Sequence, residues 1–112
     1  MPFTVFYLDD EEALCEIFSD FFSSDSVQIE TFSEANSLFE ATLRTPPDLF
    51  FIDYRLPEQN GDEIAKALPQ SIPKVLVTGE IRADYTYNFI AVLSKPYDYK
   101  LVQEIIDRYK PL

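Results

Sequence analysis

Apolar runs and amphipathic stretches alternate along the chain. Phe3–Leu8 is a short, nearly continuous apolar run, the pattern of a strand buried on both faces. Over residues 11–23, Leu14, Ile17, Phe18, Phe21 and Phe22 recur at helical spacing and predict one apolar helix face. A polar turn at 23–26 leads into Val27–Phe32, which alternates and predicts a second strand. Ser33 is placed to cap a helix over 34–44 whose inner face is Ala35, Leu38, Phe39 and Thr42 or Leu43; Pro46 and Pro47 end it. Residues 49–52 are the most apolar run, which predicts the central strand, ending at Asp53. A loop over 54–60 holds Pro57, Gly61 serves as a turn residue, and a short helix over 62–68 starts with acidic residues that suit its dipole. Residues 74–77 form a fourth strand running into Thr78 and Gly79. The stretch 80–90 has no clear period and is too short for a long helix with its loops. Ala91–Ser94 is a fifth strand that meets Lys95 and Pro96, and Asp98 can cap a last helix facing inward through Leu101, Val102, Ile105, Ile106 and Tyr109.

Five strands alternating with helices predict an α/β domain over 1–112, a doubly wound parallel sheet covered on both faces. Right-handed crossovers bring the carboxyl ends of all its strands to one edge, where open α/β sheets bind ligands. The residues at those ends are Asp9 and Asp10, Asp53, Thr78 and Lys95. Two like charges about 4 Å apart repel by roughly 4 kcal/mol at an effective dielectric near 20, so three gathered carboxylates need a cation or a proton. Lys95 supplies one charge. A hard divalent cation with oxygen ligands supplies the rest, and a site with few ligands and open positions suits Mg²⁺. A carboxylate beside such an ion can attack phosphorus, with Lys95 and Thr78 on other phosphoryl oxygens; Asp53, ending the central strand, is the candidate nucleophile.

Composition narrows the classes. Formal net charge is −11, which disfavours direct contact with nucleic acid or anionic membrane surfaces. There is no histidine, which removes imidazole acid–base chemistry and any role as phosphohistidine donor. The single cysteine, Cys15, forbids an intrachain disulfide and fits a buried small residue in a reducing compartment. No apolar run is long enough to span a membrane, and Met1 and Pro2 lead almost directly into the first strand without the pattern of a signal peptide, so a cytoplasmic location is expected.

The acid pair Asp9-Asp10, Asp53 within Phe51-Ile52-Asp53-Tyr54-Arg55-Leu56-Pro57, Gly61, Thr78-Gly79 and Lys95-Pro96 together resemble the receiver domains of response regulators, over essentially the whole chain and in order. The resemblance implies a flavodoxin-like strand order 2-1-3-4-5. It also implies phosphorylation of Asp53 by a sensor histidine kinase or histidine phosphotransfer protein. Mg²⁺ would be held directly by Asp10, Asp53 and the backbone carbonyl of Arg55, and by Asp9 through water. Thr78 and Lys95 would bind the phosphoryl group, and the Lys95–Pro96 bond would be cis. Two features depart from the family. Val92 stands where the switch aromatic usually does, and the interval from Thr78 to Lys95 is short, so the family's fourth helix is expected to be truncated or missing.

Other readings stand beside this one. Singly, the acids can be a helix start or an Asx turn, and Thr78-Gly79 and Lys95-Pro96 ordinary strand exits. A receiver fold kept only for docking is the main alternative. An aspartate-nucleophile phosphatase of the haloacid dehalogenase type would carry a second acid two residues after the nucleophile, where this chain has Arg55, and no Gly-rich phosphate loop is present. Arg55 and Glu80 either pair over the site or remain solvated. Tyr85, Tyr87 and Phe89 either fill gaps beneath a short connection or form a partner or homodimer surface.

Overall fold

A computed structural model describes residues 2–112, and Met1 lies outside them. The elements run β1 (Phe3–Leu8), α1 (Glu12–Phe22), β2 (Val27–Phe32), α2 (Ala35–Arg44), β3 (Leu49–Asp53), α3 (Gly61–Ala67), β4 (Lys74–Thr78), β5 (Ala91–Ser94) and α4 (Tyr99–Tyr109). The strands form one sheet in the order β2-β1-β3-β4-β5, all parallel. This is the doubly wound α/β topology with the expected strand order. The backbone between β4 and β5 contains no helix, so the helix after β5 is the fourth and last.

Two cores lie on opposite faces of the sheet. On one, Val5, Tyr7, Phe51, Val75, Val77 and Leu93 pack against α1 and α4. On the other, Phe6, Leu8, Phe50 and Ile52 pack against α2 and α3. β3 and β4 are buried along their whole lengths, including the charged Lys74 that opens β4. No helix among the described residues is long and apolar enough to cross a membrane.

Side-chain caps open two of the four helices. Asn60 opens α3 with a capping box: its side chain accepts from the Glu63 N–H, and the Glu63 carboxylate accepts from the Asn60 N–H. Asp98 caps α4 by accepting from the Lys100 N–H. Ser33 does not cap α2; the N-cap position falls to Glu34, whose side chain makes no capping bond. The inner stripe of α1 is also narrower than the periodicity predicts. It buries Cys15, Phe18 and Phe22, while Ile17 and Phe21 remain largely exposed, Phe21 lying against Tyr99 at the rim. On α2 the inward residue is Thr42, and Leu43 points outward at 86% exposure. Leu101 and Tyr109 of α4 are likewise exposed beside the buried Val102, Ile105 and Ile106.

Tertiary contacts hold the helix-free segment before β5. Asp62 Oδ1 accepts from the backbone N–H of Thr86 at 3.0 Å and of Tyr87 at 2.8 Å, while Oδ2 pairs with Lys66 at 3.1 Å. Lys74, itself buried, donates to the Pro69 and Ile72 carbonyls at 2.6 and 2.8 Å and to the Tyr87 hydroxyl at 2.9 Å. Tyr87 and Phe89 thereby pack on the α2–α3 core as a partial substitute for a helix, and Tyr85 stays exposed.

Candidate functional site

The carboxyl ends of β1, β3, β4 and β5 converge as expected. Strand β1 delivers Asp9 and Asp10, β3 ends on Asp53, β4 on Thr78, and Lys95 follows β5. A carboxylate oxygen from each of Asp9, Asp10 and Asp53 lies within 4.8 Å of the others. Asp9 and Asp53 are buried, and Asp10 opens to solvent. Lys95 bridges the two buried acids, with Nζ 2.8 Å from Asp9 Oδ2 and 3.3 Å from Asp53 Oδ1. The Lys95–Pro96 bond is cis, as the resemblance implies.

Each group is held by its neighbours. Asp9 is fully buried; Oδ1 accepts from the Glu11 N–H at 3.0 Å, and Oδ2 accepts from Lys95 and from the Tyr7 hydroxyl at 3.1 Å. Thr78 is buried, and its hydroxyl oxygen accepts from the Glu80 N–H at 3.0 Å, leaving the hydroxyl proton available to a ligand. Gly61 packs directly against the end of β3: a β-carbon there would stand 2.5 Å from the Asp53 carbonyl oxygen. The glycine answers to this close approach of backbones, since no described glycine has positive φ.

Charge is unbalanced at this edge. Burial, aided by the Asp9 charge, pushes the Asp53 carboxyl up to about 6 from its ordinary 3.8, against the pull of Lys95. Burial works to lower the Lys95 ammonium, but the hydrogen bond to Asp9 and the charge of Asp53 hold it above its ordinary value. Three carboxylates against one ammonium leave two negative charges when all are ionised. An all-oxygen donor set with one solvent-open member and a deficit of two positive charges fits a hard divalent cation.

Arg55 and Glu80 reach toward each other from the loops after β3 and β4. Arg55 Nη2 lies 2.5 Å from Glu80 Oε1, and Arg55 Nε lies 3.1 Å from Glu80 Oε2, so the pair is bidentate. The two side chains are paired, with that of Arg55 largely exposed to solvent. Val92, at the position of the usual switch aromatic, lies on β5 at 40% exposure.

Sequence reasoning missed Tyr7 and Tyr97. Tyr7 reads as one more apolar strand residue, yet its hydroxyl bonds Asp9 and lies 3.0 Å from the Tyr97 hydroxyl. The available signal was strand alternation, which puts residues two apart on the same face.

Comparison with known proteins agrees with this arrangement. The family model "Response regulator receiver domain" matches residues 5–107. Sensory transduction protein LytT of Bacillus subtilis is 29% identical over 94 residues, covering 79% of this chain and 39% of LytT, so the chain spans about two-fifths of that relative. Sporulation initiation phosphotransferase F of the same organism is 25% identical over 118 residues, covering 96% of this chain and 94% of that protein. Among solved structures, response regulator TrrA from Thermotoga maritima, in complex with Mg²⁺-BeF, superposes with a TM-score of 0.84 at 17% identity, covering 97% of this chain and 99% of TrrA. With both the family match and the strand-end constellation in place, the chain belongs to the response regulator receiver domains, the phosphorylation-based module of two-component signalling.

Proposed function

We propose that Asp53 accepts a phosphoryl group in a Mg²⁺-dependent transfer from a sensor histidine kinase or histidine phosphotransfer protein, and that the added charge changes which protein the domain binds. The carrying observation is Lys95, one ammonium 2.8 Å from Asp9 and 3.3 Å from Asp53, with Asp10 open to solvent beside them. Asp10, Asp53 and the Arg55 carbonyl would hold the ion directly, and Asp9 through water. When bound, the ion would neutralise charge on the phosphoryl oxygens.

The chain's own residues do the rest. An Asp53 carboxylate oxygen forms the new bond to phosphorus as the bond from phosphorus to the donor breaks, and the donor leaves with the electron pair. Lys95 turns toward a phosphoryl oxygen, and Thr78 donates its free hydroxyl proton to another. The added charge then biases a two-state element of the domain. The domain turns over no external substrate; it catalyses only the formation and loss of its own acyl phosphate. A cytoplasmic setting belongs to the same reading.

A second reading, a receiver fold that docks without phosphorylation, draws on the exposed Val92 and the missing helix before β5. Intact mass after incubation with acetyl phosphate and Mg²⁺ separates the two. A single phosphoryl adduct, lost with EDTA and in Asp53→Asn, supports the phosphoacceptor reading. A folded, Mg²⁺-binding chain that takes no adduct from acetyl phosphate or from any phosphorylated donor favours docking alone.

A further inference from the structure

Tyr7 precedes Asp9 by two residues, and both side chains lie on the α1–α4 face of the sheet. The Tyr7 ring is buried and stacks on Phe18 with centroids 4.1 Å apart. Its hydroxyl is 3.1 Å from Asp9 Oδ2 and 3.0 Å from the Tyr97 hydroxyl. A phenol has one proton to give, and an ionised carboxylate has none, so the direction of the chain is fixed: Tyr97 donates to Tyr7, and Tyr7 donates to Asp9. Each bond polarises the next.

Asp9 Oδ2 thus has two side-chain donors, Lys95 and Tyr7. Lys95 rests on Asp9 at the shorter distance, 2.8 Å against 3.3 Å to Asp53. A phosphoryl group on Asp53 would compete with Asp9 for the ammonium. Asp9 is fully buried, so losing a donor there is costly unless another remains. We propose that Tyr7, backed by Tyr97, is a positioning residue that keeps Asp9 Oδ2 satisfied while Lys95 swings from Asp9 to the phosphoryl group. The inference rests on the phosphoacceptor reading of Asp53.

The test compares wild type, Tyr7→Phe and Tyr97→Phe. Each variant loses one hydroxyl and keeps its ring. Mg²⁺ alone is titrated by calorimetry, and fluoroberyllate at saturating Mg²⁺ is followed by fluorine NMR. Tyr7→Phe should weaken fluoroberyllate binding by about tenfold, the effect of one hydrogen bond to a charged group. Its Mg²⁺ affinity should stay within about twofold of wild type, because only the phosphoryl analogue requires Lys95 to move. Tyr97→Phe should shift fluoroberyllate binding in the same direction by less. Unchanged fluoroberyllate affinity in Tyr7→Phe overturns the proposal, as does equal weakening of both ligands, the mark of a merely structural role. Should Tyr7→Phe fail to fold, Tyr97→Phe decides, and its unchanged fluoroberyllate affinity overturns the proposal. A wild type that binds Mg²⁺ but no fluoroberyllate removes the phosphoacceptor reading itself, a different result from a wild type that binds both and a variant that does the same.

Discussion

Gly61 and Asp53 are packed backbone against backbone: a β-carbon added to Gly61 would meet the Asp53 carbonyl oxygen at 2.5 Å and Leu76 Cδ1 at 3.0 Å. The obstacle is main chain at the end of the central strand, which cannot rotate aside as a side chain would. Gly61→Ala should therefore cost about 1–3 kcal/mol in urea unfolding, the usual range for overpacking. It should also slow acetyl phosphate labelling, because relief comes from moving the strand end that carries Asp53. A variant as stable and as quickly labelled as wild type would show that the α3 start gives way instead.

In metal-free protein, Asp53 should weaken the fold at neutral pH. Its folded value of about 6 lies above the ordinary 3.8, so the folded state binds the proton more tightly than the unfolded one. The associated stability is fully present below the ordinary value and is lost as pH rises through about 6. Asp53→Asn, which stays neutral, should be more stable than wild type by at most about 3 kcal/mol above that pH, and the gap should close toward pH 4. Denaturant unfolding in EDTA across this range measures the gap, and Mg²⁺ should narrow it by stabilising wild type alone. A gap independent of pH would contradict the raised value.

Asp62 should be the anchor of the segment before β5. It accepts the Thr86 and Tyr87 amides and pairs with Lys66. Burial works against its charge, but those three bonds prevail and hold its carboxyl below the ordinary range. Its stabilisation is thus present above the ordinary carboxylate value and is lost as pH falls through the lowered one. Asp62→Ala should cost about 1–3 kcal/mol and speed hydrogen exchange at the Thr86 and Tyr87 amides before that of β3. Equal acceleration throughout the sheet would mean that the segment does not open by itself.

The bidentate Arg55–Glu80 pair is exposed on its arginine side, so its loss should hardly change the midpoint of unfolding. If the pair shields the acyl phosphate from water, Glu80→Ala should speed its hydrolysis several-fold, as read by the decay of the phosphoryl adduct in intact mass. An unchanged decay rate would count against the shielding role.

Strands and the acid–Lys constellation were legible because each is announced locally. Residues 49–52 are apolar without interruption, and four of the five strands end on, or run directly into, Asp9, Asp53, Thr78 and Lys95. Helix faces were less so. Ile17, Phe21 and Leu101 fit the period but face outward, since each helix meets the sheet along a stripe narrower than its apolar arc. The long-range contacts of Asp62 and Tyr7 were illegible for another reason. The backbone partners of Asp62 lie 24 and 25 residues away, and Tyr97 lies 90 residues from Tyr7, distances at which no periodicity speaks. The Ser33 cap failed because α2 begins one residue later than a serine cap would need.

The missing helix leaves the two faces of the sheet unevenly covered. Around β1 and β3 the sheet is clamped from both sides, and the acids Asp9 and Asp53 stand at the ends of those strands. At β5 only Leu93 and its neighbours on one face are clamped, while Val92 on the other is open. The two halves of the site therefore rest on unequal foundations: the carboxylates on strands covered from both sides, and Lys95 on an edge strand covered from one.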